Sequence, residues 1–418
     1  MRLNLRFDIL NLKRILWILV PIMVFHASLT LNVYESLMPL SYLLQFLDIL
    51  FFLFSLYLFI VHPSLSQFDF LMVGYIIVMI GITAIASTDL KNMIYVAVDV
   101  LFMVTLFNYC KDGKMPLLLK ILSLSLSVCV YINFIVLITD TSWMIVDDKN
   151  IFGYILGDNY NQVVSRIIPA LLCSVLTSKY GFLWKVNSVA TFLTGFIGVL
   201  FLGSMTATSG LVLFVLFCAV PSLSLKRIGV WGMFLFYVFF QIVVCFNGTG
   251  LQNNDLAVYI IVDVLGKDIT FTHRTELWDA AIHVFTESPL FGNGYVDRDW
   301  YMSNMSSLAM GPHNLIFYIM ISGGIVLLAA FLCMFAMAIT RCVKSTEVSR
   351  RKLNLLFGQA VFLFMQTMEY YPFFFNFLLL NLVYYYEEFG MEKKVHLAVS
   401  SPVSNPINDD YGKTDTTE

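Results

Sequence analysis

His313 and Asn314 sit between Gly311-Pro312 and an apolar run that begins at Leu315. An imidazole titrates near neutral pH, so a histidine there can accept or return a proton during a reaction. Arg274 lies upstream in the same polar stretch, and Arg166 opens a separate apolar segment. A guanidinium presents parallel N–H groups that match phosphate or carboxylate oxygens, which makes both arginines candidate anion ligands. Other polar side chains stand inside or at the ends of apolar runs: Asp48, Asp99, Asn133, Gln241, His26, Thr206 and Thr208. A charge at a bilayer centre costs about 2.5 to 3.5 kcal/mol on insertion scales, so such groups face partners or water rather than lipid. Each amide or hydroxyl also fits a plain interhelical hydrogen bond. Their shared bias toward one side of the membrane points to a water-accessible cavity opening outward. Asp48 and Asp99 either pair with an arginine or stay protonated, and the sequence leaves both open.

The chain contains no glycine-rich nucleotide loop followed by lysine, no HExxH, no CxxC and no GxSxG in a strand-turn-helix setting. ATP-driven and metal-dependent mechanisms therefore find no support. Cys110, Cys129, Cys173, Cys218, Cys245, Cys333 and Cys342 all lie in or at the ends of apolar runs, a placement that implies neither a disulfide framework nor a metal cluster. The expectation is a site without metal or cofactor, in a protein that does not bind nucleic acid.

The elements that must position these residues follow from composition. Of 418 residues, 59% are hydrophobic and 13% charged, more apolar surface than a soluble fold can cover. Runs long enough to cross a bilayer, about 20 residues with a floor near 17, fall at roughly 15–31, 40–61, 70–86, 93–109, 117–138, 164–178, 187–203, 211–224, 228–246, 315–339, 353–368 and 373–386. The expected fold is an all-α integral membrane protein of about twelve transmembrane helices, with residues 1–386 forming one polytopic membrane domain. Lysine and arginine are retained on the cytoplasmic side during insertion. With the N-terminus inside, only Lys91, Lys149, Arg166, Lys267, Arg274 and Arg298 of the 25 basic residues fall outside, so both termini are assigned to the cytoplasm.

Two outer loops are long, 139–163 and 247–314. The second, between the ninth and tenth spans, holds most of the polar content outside the membrane, and function is expected there. Residues 387–418 are poor in apolar residues and rich in turn formers, which reads as a disordered cytoplasmic tail. Within the large loop, residues 275–287 put Leu277, Trp278, Ala281, Ile282 and Phe285 on one helical face, with Glu276, Asp279, His283 and Glu287 on the other. Such a helix is expected to lie along the membrane surface with Trp278 at the headgroup level. Ser288-Pro289 ends it, and Gly292 and Gly294 follow, where tight turns and close approach to a ligand become possible.

Residues 274–324 resemble the signature region of the bacterial O-antigen ligase and O-antigen polymerase (Wzy-type) family. The matching pieces are RTELW at 274–278, SPLFGNGY at 288–295, then His313-Asn314 followed by nine residues and Gly324. GDNYNQVVSRI at 157–167 is similar to the asparagine-containing segment that opens a mid-chain span in that family. One departure stands out: many relatives carry a Ser-Arg pair after a mid-chain span, whereas here Ser209 is followed by Gly210. Arg166, at the neighbouring outer mouth, is the residue placed to compensate.

The resemblance implies a metal-independent glycosyltransferase that takes glycan from an undecaprenyl-diphosphate carrier on the outer face of the bacterial inner membrane. On that reading His313 is the general base for an attacking sugar hydroxyl, and Arg274 clamps the departing diphosphate. Arg166, Asn314, Asn161 and Asp99 contribute to substrate binding, Asn314 by orienting the histidine or the acceptor. Gly292, Gly294 and Gly324 are structural, with Gly324 letting its helix pack closely. The first expectation is a polymerase of O-antigen, capsule or exopolysaccharide repeat units, which extends glycan on a lipid-linked repeat unit. The second is a ligase that moves glycan to lipid A core, and the motif region does not separate them. Expected partners are the lipid-linked oligosaccharide, membrane lipid and a polysaccharide chain-length regulator. A flippase or transporter also fits twelve spans with both ends inside. Against it stand the missing internal repeat and the concentration of polar residues in an outer loop.

Overall fold

The computed structural model describes residues 9–29, 31, 37–61, 65–139, 155–156, 162–264, 268–271, 273–307, 309–344, 348–368 and 373–390. Helices α1 (Ile9–Ser28), α2 (Met38–Val61), α3 (Gln67–Ile85), α4 (Leu90–Cys110), α5 (Met115–Ile138), α6 (Val164–Thr177), α7 (Phe182–Leu202), α8 (Met205–Ala219) and α9 (Leu223–Phe240) lead into the large loop. The loop holds α10 (Asp255–Val258), α11 (Arg274–Glu287) and α12 (Arg298–Asn304), and α13 (Leu315–Lys344), α14 (Arg350–Met365) and α15 (Phe373–Tyr384) follow it. The fold is all-helical: among the described residues, extended backbone pairs only as a single bridge, Leu29 with Leu156.

Each of the twelve apolar runs contains a helix, but six helices are long and apolar enough to cross a membrane: α3, α4, α5, α7, α9 as extended to Cys245, and α13. Parts of α1, α2, α8 and α15 are apolar but shorter, and α6 and α14 have 14 and 16 residues. The difference is physical. Every residue of α15 is buried, as is nearly all of α6 and α14, so their apolar character serves a protein interior, which hydropathy does not distinguish from lipid. The outward faces of α2, α3, α7 and α9 instead expose large apolar side chains such as Ile60, Ile77, Leu200 and Leu235, as lipid contact requires.

The end of the bundle that bears residues 247–314 is called the loop end, and the opposite end the far end. At the far end, Ser66 and Asp69 form a capping box at the start of α3, and Asp69 also accepts from Tyr385 Oη at 2.9 Å. The chain stays folded past α15, with Tyr386 and Phe389 buried and Glu388 bonded to Arg341 at 3.0 Å. Of the expected disordered tail 387–418, the first four residues thus belong to the folded body, and 391–418 lie outside the described residues.

At the loop end, α13 breaks at Gly324, which has φ 60 and ψ −159. The portion after the break, about 20 residues, is by itself about one hydrocarbon thickness long. The portion before it, Leu315 to Gly323, is wholly buried in protein, although its sequence reads as lipid-facing. A break frees backbone groups that need partners away from water, and the loop supplies them. Ile325 and Val326 amides donate to the carbonyls of Pro289 (2.9 Å) and Leu290 (3.3 Å), while Asn293 and Gly294 amides donate to Ile321 (2.7 Å) and Ser322 (2.9 Å). The two backbones approach so closely that a Cβ on Gly324 would lie 2.3 Å from the Leu290 carbonyl, and one on Gly292 would lie 2.5 Å from that of Ile321. Gly294 backs onto Thr83, whose hydroxyl receives the Tyr295 amide at 2.9 Å, and the Asp89 amide donates to the Tyr295 carbonyl at 3.0 Å. Gly292 and Gly294 therefore make their close approach to helices, and Gly324 both interrupts its helix and permits the close packing expected of it, against the Leu290 backbone.

The loop helix α11 begins at Arg274 and keeps the expected faces: Trp278 and Ala281 are fully buried, and Glu276, His283 and Glu287 are exposed. Trp278 is covered by protein, against Phe271 at 6.2 Å between ring centroids, so it does not sit among headgroups. Asp279, placed on the polar face, accepts from the Thr249 amide (3.1 Å) and hydroxyl, which ties α11 to the start of the loop.

Candidate active site

The bend that carries His313 is held from below. Asn314 is fully buried, and its Oδ1 accepts from the amides of Ile316 (2.9 Å) and Phe317 (3.3 Å), capping α13. Its Nδ2 donates to Gln241 Oε1 (3.0 Å) and the Thr367 carbonyl (3.4 Å). Gln241 opens a π-helical turn that continues α9, and the Leu315 amide donates to the Gln366 carbonyl at 3.0 Å. Asn314 thus ties together the loop ends of α9, α13 and α14. Only an amide side chain supplies an acceptor and two donors over so short a reach.

His313 is half-buried and has φ 47, a left-handed conformation that costs an L-residue about 1–2 kcal/mol. Pro312 before it and Asn314 after it are both buried, so the imidazole rides on a fixed bend. Strain retained at a residue with acid–base chemistry is a pattern of functional sites. The first amides of α13 are also accounted for: Leu315 donates to Gln366, Ile316 and Phe317 to the Asn314 side chain, and Tyr318 to the Asn314 carbonyl at 2.9 Å. None of these four is left to bind an anion, so positive charge at this mouth has to come from side chains.

Two arginines border the same end. Arg274, half-buried, opens α11 three residues after Phe271. The Phe271 ring lies 6.1 Å from that of Phe240, the last residue of α9, and Phe240 lies 5.4 Å from Phe364 of α14. This aromatic line seats the start of α11 beside the Gln241–Asn314 bond. Arg166 is 5% exposed at the start of α6, and its Nη1 donates to Ser165 Oγ (2.8 Å) and the Gln162 carbonyl (3.2 Å). Its guanidinium stands 5.4 Å from the Phe375 ring centroid. The next residue, Asn376, exchanges two hydrogen bonds with Gln366 (2.8 and 2.9 Å). A line of contacts therefore runs from Arg166 through the Phe375 ring and the Asn376–Gln366 pair to the Leu315 amide, two residues past His313.

The absent arginine after Ser209 has a steric counterpart. A Cβ on Gly210 would lie 2.3 Å from Met365 Sδ, so in this chain Met365, next to Gln366, fills the space a longer side chain on α8 would need.

The other expected site residues are placed differently. Asp99 is half-buried midway along α4, which packs chiefly on α2, α3 and α15. Asn161 and the Asp48 side chain lie outside the described residues. Asn133 accepts from the amides of Ile155 (2.9 Å) and Leu156 (3.0 Å), a structural tie to the first long loop. His283 is exposed beside Glu287 at 3.5 Å. Gln366, Thr367 and Asn376 belong to the site's framework but escaped the reading of the sequence; an amide inside an apolar run was the available signal. Among the described residues no group of three or more His, Cys, Asp or Glu is placed to hold a metal.

The chain is thus a helical, multi-pass membrane protein with six helices long and apolar enough to cross a bilayer, and His313, Asn314 and Arg274 stand at its loop end. Residues 190–332, from the middle of α7 to just past the break in α13, match the family described as O-antigen ligase. The matched stretch includes Arg274, Gly292, Gly294, His313, Asn314 and Gly324, and excludes Asp99, Asn161 and Arg166. No curated protein and no solved structure matches the chain.

Proposed function

We propose that the protein transfers glycan from an undecaprenyl-diphosphate carrier to a hydroxyl of a second glycan at the outer face of the bacterial inner membrane. The observation that carries this reading is the His313 bend: a histidine in a strained left-handed conformation, fixed by a fully bonded Asn314, inside the stretch that matches the O-antigen ligase family. The acceptor oxygen attacks the anomeric carbon and its proton passes to the imidazole. The carbon–oxygen bond to the diphosphate breaks, and the leaving oxygen keeps the electron pair. Arg274 binds that developing charge, with Arg166 contributing from the α6 side. No step calls for a metal, and a single displacement inverts the anomeric configuration. The orientation that goes with this reading places both termini in the cytoplasm and the loop end outside, with the twelve helical runs forming the membrane domain.

Two acceptors suit this chemistry. A lipid-linked repeat unit makes the protein a polymerase of O-antigen, capsule or exopolysaccharide, with a chain-length regulator as partner. Lipid A core makes it a ligase, a reading favoured by the family description matched over residues 190–332. A gel profile of surface glycan separates them, using a deletion strain complemented with wild-type, His313→Ala or Arg274→Ala protein at matched membrane levels. Single repeat units on lipid A core in the deletion and both variants identify a polymerase. Long glycan held on its undecaprenyl carrier identifies a ligase. Wild-type ladders from both variants contradict the site.

A further inference from the structure

A cleft of about 460 Å³ opens at the far end, between the end of α6 and the start of α14, lined by Val175, Ser178, Ser349, Arg350, Arg351 and Asn354. It lies at the opposite end of the bundle from His313 and takes no part in the transfer chemistry. Its polar lining is donor-rich. Lys226, fully buried behind it, donates to Asn354 Oδ1 at 2.6 Å. An ammonium has no acceptor, so this bond commits Asn354 Oδ1 to Lys226 and leaves the NH2 group as the donor that Asn354, a lining residue, can offer. The Ser178 hydroxyl is spent on the Val175 carbonyl (2.7 Å), and Ser349 caps α14 through the Lys352 amide (3.2 Å).

Among the described residues neither Arg350 nor Arg351 has a carboxylate partner, and Glu388 is paired with Arg341. Lys179 and Lys120 add to the field, with their ammonium groups 4.9 and 4.4 Å from the centroid of the Tyr180 ring. The sequence of α14 points the same way. Its first turn is Arg350, Arg351 and Lys352 with no acidic residue, three cations at the helix end where the macrodipole favours anions. A local rule broken this strongly is resolved if an anion occupies the cleft.

We propose that this cleft binds a phosphate group, held by Arg350, Arg351 and the Asn354 amide and carried either by an anionic phospholipid headgroup or by a soluble phosphate ester. Paired guanidinium forks suit the tetrahedral oxygens of phosphate. A basic pocket between helix ends at the side where lysine and arginine are retained is suited to an anionic headgroup.

The test uses the purified full chain. Binding of phosphatidylglycerol, phosphatidylcholine and inorganic phosphate is measured by native mass spectrometry and equilibrium titration, for wild-type, Arg350→Gln and Arg350→Gln/Arg351→Gln proteins. Arg350 is exposed, so the single variant keeps the fold. For a lipid source, phosphatidylglycerol binds in preference to phosphatidylcholine, weakening about fivefold in the single variant and about 25-fold in the double. For a soluble source, the same losses appear with inorganic phosphate while the two lipids bind alike. In either case wild-type binding weakens as salt rises. Anion binding that is absent from the wild-type, or indifferent to Arg350→Gln and to salt, overturns the proposal.

Discussion

Replacing His313 by glycine separates chemistry from stability. Glycine adopts the left-handed bend without the roughly 1–2 kcal/mol that histidine spends there, and loses about 0.5–1 kcal/mol through greater freedom of the unfolded chain. His313→Gly is therefore expected to melt at or above the wild-type temperature in a detergent-solubilised thermal scan, whereas His313→Ala keeps the strain and gains nothing. Asn314 behaves in the opposite way. Asn314→Ala removes the cap of α13, about 1 kcal/mol, and strands Gln241 Oε1 and the Thr367 carbonyl in a buried place, about 1–3 kcal/mol each. The same scan is expected to show a large fall in melting temperature, and an unchanged midpoint would remove Asn314 from its bridging role. At this scale the sequence made His313, Asn314 and Arg274 legible, because a histidine-asparagine pair before an apolar run is conspicuous. It did not reveal that Asn314 bonds Gln241, since residues 73 apart meet only through helix packing.

Among the elements, the junction of the loop with the break in α13 governs how the His313 bend is presented. The segment from Pro289 to Gly294 replaces the helical bonds lost at Gly324, and no Cβ fits at the contact. Gly324→Ala is expected to undock this segment, destabilising the protein by about 2 kcal/mol or more and opening the loop near Leu290 to limited proteolysis. A digestion pattern like that of the wild-type would show that the junction tolerates the methyl group. The motif spacing was visible in the chain, but its meaning was not. SPLFGNGY and Gly324 read as a ligand turn and a packing position, while the structure joins them as the two halves of one backbone contact. Helix α11 was legible in both extent and face, because its period is set locally. What covers that face, protein rather than headgroups, depends on neighbours that local periodicity does not record.

For the whole molecule, each of the twelve apolar runs marked a helix among the described residues, but only six of those helices are long and apolar enough to cross a membrane, and burial separates those with exposed apolar faces from those such as α15 that other helices enclose. The orientation assigned from basic residues is tested with single cysteines at Ser303 in α12 and Asp112 in the turn between α4 and α5, both exposed. In intact spheroplasts, Ser303→Cys is expected to react with a membrane-impermeant maleimide above the wild-type background, and Asp112→Cys only after lysis. The reverse pattern would invert the molecule and move the His313 mouth to the cytoplasm.

The central claim is that His313 accepts a proton during glycan transfer from a lipid diphosphate. It is tested most directly with purified protein in proteoliposomes, supplied with undecaprenyl-diphosphate-linked oligosaccharide and acceptor, by following release of undecaprenyl diphosphate for wild-type and His313→Gly. A positioned general base contributes about 10²–10⁴ in rate, so the glycine variant, fully folded, is predicted to lose at least about a hundredfold. Transfer at the wild-type rate by that variant would contradict the account.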